Sequence, residues 1–233
     1  MTGRNIAANN GECGFSLSGG CSVPEANDFL GRGSCLCLVG GLMNLLVVGK
    51  PGSGKTSWCR YYTDWLHGRG LSVGGILCPE VREHGERAGY NAVDLGTGEE
   101  VPFARCSGVV AWPKGEVIGR YTISRDGILF ARRAIEQAVE KQCDLVVIDE
   151  VGPVELRGGG LMPAVELALA TAVNVLIIIR SSLREALYRH FPNYQFRVIA
   201  DFTCSPPQIP PPAEWGDYLH LSRGEESPPP PAG

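Results

Sequence analysis

The sequence predicts an α/β domain: a mainly parallel sheet layered between helices, with an antiparallel hairpin inserted. Three observations carry that prediction. Runs rich in Val and Ile recur at 144–148, 174–179 and 196–201, as expected of strands buried on both faces of a parallel sheet. Helix-period segments alternate with them, which points to right-handed β-α-β crossovers. A glycine-rich octapeptide joins the first apolar run to the first helical segment.

Taken in chain order, the first strand is expected over 43–48 and the first helix over 55–67, with Gly70 where that helix should end. A second strand is expected over 72–78. Between Pro79 and Tyr121 the pattern changes. Tyr90–Leu95 and Val101–Ala104 flank Gly96-Thr97-Gly98 and read as the inserted hairpin. Over 126–142, Ile128, Ala131, Ile135, Ala138 and Val139 fall on one helical face, with Arg132, Glu136 and Glu140 opposite. Further helices are expected over 161–172 and 183–190. The domain therefore spans 43–204.

The flanks differ in character. Residues 1–42 are rich in Gly, Ser and Asn with no sustained period, and read as a disordered N-terminal extension. Met43 opens a strand that runs straight into the glycine-rich turn, so Met43 is a candidate start of the native chain, which an intact mass would decide. Residues 205–233 contain Pro210-Pro211-Pro212 and the run Pro228–Pro231, and read as a proline-rich flexible tail.

Composition excludes several classes. The 233 residues are 44% hydrophobic and 20% charged, an ordinary globular balance. A net charge of −4 without a basic block gives no electrostatic case for nucleic acid. The longest apolar stretch, Leu36–Val48, is too short to span a membrane, and no secretory pattern is visible. The nine cysteines are odd in number, irregularly spaced and free of Cys-x-x-Cys pairs. They read as free thiols of a cytoplasmic protein, and a metal site from Cys13, Cys21, Cys35 and Cys37 is disfavoured by their spacing. Nothing points to an oligomer, so a monomer is expected.

The octapeptide Gly49-Lys50-Pro51-Gly52-Ser53-Gly54-Lys55-Thr56 fits G-x-x-x-x-G-K-[ST] at every fixed position and has the required strand before it and helix after it. Its glycines let successive amides turn inward around phosphate, and the helix that continues through Ser57 adds its positive N-terminal dipole. Lys55 is expected on the β- and γ-phosphates and Thr56 on Mg²⁺. Leu145-Val146-Val147-Ile148-Asp149-Glu150 is a buried strand ending in acids. Asp149 is the expected second magnesium contact, and Glu150 beside it can act as general base on the attacking water. Arg82, Arg87, Arg120 and Arg180 are cations that could face a γ-phosphate, with Arg180 favoured by its place at a strand end and the bland reading of surface ion pairs open for each. Magnesium is the one cofactor expected, and nucleoside triphosphates the ligands.

Several segments together resemble the THEP-type nucleoside triphosphatase family, also called cancer-related nucleoside triphosphatase. These are the loop 49–56; Glu80-Val81-Arg82 followed by Gly85-Glu86-Arg87-Ala88-Gly89-Tyr90; Val117–Tyr121; and Asp149-Glu150-Val151-Gly152-Pro153-Val154-Glu155-Leu156. The resemblance covers about residues 43–200. It implies a three-layer RecA-like P-loop core and slow, Mg²⁺-dependent hydrolysis of ATP, GTP and other triphosphates. It also implies that Asp149 to Gly152 lies against the nucleotide. Two places depart from the family: Arg180-Ser181-Ser182 replaces a His-containing stretch, and Thr203-Cys204-Ser205 stands where an Asn-Arg is usual. Two other activities share the phosphate loop. A nucleotide or small-molecule kinase would show a phosphorylated acceptor, and a nucleotide-dependent switch would bind with negligible turnover.

Overall fold

A computed structural model of the chain describes residues 42–108, 112 and 115–219. The extension 1–41 and the end of the proline-rich segment, 220–233, lie outside them, as do the four N-terminal cysteines. Strand β1 (Asn44–Gly49) is almost wholly buried, and helix α1 (Lys55–His67) follows it. Next come β2 (Val73–Leu77), β3 (Glu80–Glu83), β4 (Glu86–Asp94), β5 (Glu100–Cys106), β6 (Glu116–Ile118) and β7 (Tyr121–Ile123). The chain continues through α2 (Arg125–Glu140), β8 (Leu145–Val151), α3 (Met162–Ala170), β9 (Val175–Arg180), α4 (Arg184–His190) and β10 (Phe196–Phe202).

The parallel half of the sheet runs β10-β1-β9-β8-β2, so one strand, β9, separates the strand before the phosphate loop from the acidic strand β8. All five strands end at one edge, which puts Gly49, Arg180 and the Asp149-Glu150 pair side by side. In open α/β sheets that carboxyl edge is where ligands bind. Two apolar layers flank the sheet. One packs α2, α3 and α4 through Ala131, Ile135, Val165, Leu169 and Leu187, and the other packs α1 through Trp58, Tyr62 and Leu66. The expected three-layer α/β architecture is therefore present.

Sequence logic accounts for α2. Ser124 caps it, its hydroxyl accepting from the Gly127 amide at 3.1 Å, and Asp126 sits in the first turn where the helix dipole favours it. Its buried face carries Ala131, Ile135, Ala138 and Val139, as the 3.6 period predicts. Helix α1 has no side-chain cap. It starts at Gly54, whose φ of 93° is a conformation costly to any residue with a Cβ.

The insertion is larger than one hairpin. β4 and β5 form it around the Gly96–Gly98 turn, which Asp94 holds by accepting from the Gly96 amide and the Thr97 hydroxyl, both at 2.8 Å. Strands β7 and β6 then extend the sheet beyond β5, and β3 pairs with the first half of β4. These additions are three or four residues long and β3 is mostly charged, so they carry no apolar alternation to announce them.

Residues 205–219 correct the reading of 205–233 as a free tail. Gln208 bridges to Asp201 of β10 by two 2.8 Å backbone hydrogen bonds, and a 3₁₀ stretch over Pro212–Leu219 follows. Trp215 is 2% exposed. Its ring meets Trp58, Tyr61, Tyr62 and Trp65 of α1 edge-on at 5.3–5.6 Å, and its indole N–H donates to Pro210 O at 2.8 Å. Prolines exclude an α-helix and a central strand here, but they tolerate a 3₁₀ turn, and the apolar residues among them supply the burial. Trp215→Ala is expected to cost about 3–5 kcal/mol. In a thermal melt that lowers Tm by about 6–20 °C, and Trp215→Phe recovers part of it. A shift under about 2 °C would mean that the segment does not dock.

Candidate active site

The phosphate loop leaves β1 at Gly49 and closes on itself before α1. The Ser53 amide donates to Lys50 O at 3.3 Å, and the Trp58 amide to Gly54 O at 2.9 Å begins the helical ladder. No side chain caps α1, and the dipole at its N-terminus favours negative charge there. Lys50, Pro51, Gly52, Gly54 and Ser57 are exposed along the loop, while the Ser53 hydroxyl is buried with no hydrogen-bond partner. Lys55 is 6% exposed, and its ammonium donates to Lys50 O at 2.9 Å. Burial lowers its pKa, and the charges of Glu150 and Asp149 oppose that shift.

Asp149 ends the fully buried part of β8 and reaches the loop. Thr56 Oγ1 donates to Asp149 Oδ2 at 2.9 Å, and the Cys78 amide at the end of β2 donates to the same oxygen at 2.9 Å. The loop's hydroxyl and the strand-end acid therefore form one hydrogen-bonded unit. Glu150, the next residue, lies where pairing of β8 with β9 slips register, and it is partly exposed at the edge.

Burial pushes the Asp149 carboxyl up to about 7, with Glu150 adding in the same direction and the Cys78, Thr56 and Lys55 interactions opposing. A folded-state pKa above the unfolded value means that the fold holds this proton more tightly than the unfolded chain. The group's contribution to stability is full below the ordinary carboxylate range and is lost as pH rises through about 7. Asp149→Asn is therefore expected to flatten the rise in Tm that accompanies acidification from about pH 7.5 to about 5.5 in metal-free buffer. Parallel Tm-versus-pH slopes for the two proteins would contradict it.

The four arginines separate. Arg180, at the end of β9 and in register with Gly49, puts Nε and Nη2 on Glu150 Oε1 at 2.7 and 2.5 Å. Arg87 on β4 crosses toward the phosphate loop: its Nη2 lies 3.2 Å from the point where a Cβ on Gly52 would stand, and it ion-pairs with Glu80. Arg82 is held away from the loop, exposed, pairing with Glu80 at 2.7 Å and donating to Gly85 O at 3.0 Å. Arg120 donates to the Tyr121 hydroxyl. Gly152 is placed by Glu155, a buried carboxylate that accepts from the Gly152 amide at 2.9 Å and the Leu161 amide at 3.2 Å.

Sequence reasoning did not single out Cys78, whose amide fixes Asp149, or Glu80, which orients Arg87. It also passed over Glu155, which builds the loop after β8. Glu80 and Glu155 stand inside the motif segments, which is the one signal that marked them. Among the described residues no cluster of three or more His, Cys, Asp or Glu could hold a metal, and the five described cysteines are free. No described helix is long and apolar enough to cross a membrane.

Comparison with known proteins adds a family and relatives. A protein family described as NTPase matches residues 44–203. The chain is 37% identical over 141 residues to nucleoside-triphosphatase THEP1 of Methanopyrus kandleri, covering 60% of this chain and 75% of that protein. It is 33% identical over 147 residues to the protein of that name from Methanothermobacter thermautotrophicus, covering 62% and 80%. Among solved structures it is similar to the solution structure of a human cancer-related nucleoside triphosphatase, with a TM-score of 0.52, 26% identity, and coverage of 67% of this chain and 87% of that one.

Proposed function

The chain belongs to the NTPase family that its residues 44–203 match, and from that premise we propose that it hydrolyses nucleoside 5'-triphosphates to diphosphate and phosphate with Mg²⁺, slowly and with broad base specificity, in the cytoplasm. The observation that carries the reading is the 2.9 Å contact between Thr56 Oγ1 and Asp149 Oδ2, which joins the phosphate loop to the acidic strand end.

The residues fit the metal. Mg²⁺ prefers hard oxygen ligands and commonly takes one or two from protein, completing its shell with water and phosphate. A hydroxyl and a buried carboxylate whose negative form is disfavoured by burial make such a pair. Held by Thr56 and Asp149, Mg²⁺ would draw charge off the phosphate oxygens. The Lys55 ammonium, now on Lys50 O, shifts to the β- and γ-phosphates, and the free amides at the start of α1 receive their oxygens. Arg87, beside Gly52, reaches the same phosphates from the inserted sheet. Glu150 takes the proton of a water whose oxygen bonds to the γ-phosphorus as the bond to the β–γ bridging oxygen breaks. The diphosphate leaves with the electron pair of that bond.

Broad base specificity follows from the family resemblance, and no base-reading motif is recognisable in the sequence. Phosphorus NMR of a reaction with ATP or GTP tests the reaction class. Diphosphate and inorganic phosphate as the sole products support hydrolysis. A phosphorylated acceptor would replace it with the kinase reading.

A further inference from the structure

Arg180 and Glu150 form an ion pair in the site, and it involves the one carboxylate that the proposed reaction needs free. Both donors of the guanidinium fork, Nε–H and Nη2–H, converge on Glu150 Oε1. That fork is the edge with which arginine binds a carboxylate or a phosphate in bidentate fashion. The same fork cannot serve Glu150 and a phosphate together. Arg180 also stands at the phosphate end of the sheet: it pairs in register with Gly49, and its charge is felt by the buried Lys55.

We propose that Arg180 is a positioning residue that detects the γ-phosphate: it fastens Glu150 until a triphosphate enters the loop, then transfers its fork to the γ-phosphate and releases Glu150 to the attacking water. The inference rests on the nucleotide-binding reading above. A diphosphate lacks the group that draws Arg180 away, so Arg180 returns to Glu150 once the γ-phosphate has left.

Magnitudes favour the transfer. Arg180 is 41% and Glu150 27% exposed, and ion pairs so placed are weak. A charge-assisted arginine–phosphate pair in a partly dehydrated cradle is stronger. The exchange is therefore favourable, yet opposed by the existing pair, and that opposition is measurable.

The test is a double-mutant cycle on the full chain, reading the affinity of a β,γ-imido triphosphate and of the matching diphosphate with Mg²⁺. Arg180→Ala is expected to weaken triphosphate binding at least about tenfold while diphosphate binding stays within about twofold. Glu150→Ala is expected to tighten triphosphate binding by about three- to fivefold, because the competing pair is gone. In the Arg180→Ala background that gain should vanish. Arg180→Gln, which keeps polarity and bulk, should behave as Arg180→Ala does. An equal gain from Glu150→Ala in both backgrounds would overturn the proposal, since Glu150 would then act by general repulsion. So would equal loss of triphosphate and diphosphate affinity in Arg180→Ala. If the wild-type chain binds neither nucleotide, the nucleotide reading itself falls, and the proposal with it.

Discussion

Glu150→Gln is expected to lower kcat for triphosphate hydrolysis by about 10²- to 10⁴-fold, the range general-base removal usually costs. Nucleotide binding is expected to survive, raised at most several-fold because the amide holds Arg180 less firmly. The expectation follows from position. Asp149, one residue earlier, is buried and committed to Thr56 and the Cys78 amide. Glu150 is partly exposed at the sheet edge, and its one described side-chain partner is Arg180, itself partly exposed. One acid is built to hold and the other to act. Gln keeps the size and a hydrogen-bonding oxygen of Glu but cannot take a proton, so a loss of kcat without a loss of binding isolates proton transfer. Turnover within about twofold of wild type would remove Glu150 from the mechanism.

Much of this arrangement was legible in the sequence, for particular physical reasons. β1, β8 and β9 are covered on both faces, so their apolar runs are unbroken and readable, whereas β10 is an edge strand whose Val198-Ile199-Ala200 run is flanked by Arg197 and Asp201. The phosphate loop is a local motif, complete within eight residues. Thr56 and Asp149, 93 residues apart, were matched through their chemistry, and the fold brings them to 2.9 Å. Strands β3, β6 and β7 were hidden because one or both of their faces are wet and their residues are charged or few. The docking of Trp215 was hidden because prolines dominate its neighbourhood, while its burial depends on an aromatic face of α1 about 150 residues earlier. The arginines were not separable in sequence. Strand register alone sets Arg180 beside Gly49, and side-chain reach across the loop sets Arg87 over Gly52 while Arg82 turns away.

The central claim is that the cradle from Gly49 to Thr56, closed by Asp149, hydrolyses triphosphates. Lys55 is its most committed residue: a buried side chain whose ammonium donates to the Lys50 carbonyl and, among the described residues, ion-pairs with no carboxylate. Removing it should cost the charge stabilisation of the transferring phosphate, at least about 10²- to 10³-fold in rate by analogy with other preorganised donors. The most direct measurement is phosphate release from ATP, GTP, CTP and UTP by wild type and Lys55→Ala, each with Mg²⁺ and with EDTA. The account predicts slow release from several of the four, dependent on Mg²⁺ and lost in Lys55→Ala. Release that persists in Lys55→Ala or in EDTA, or none from wild type despite nucleotide binding, would contradict it.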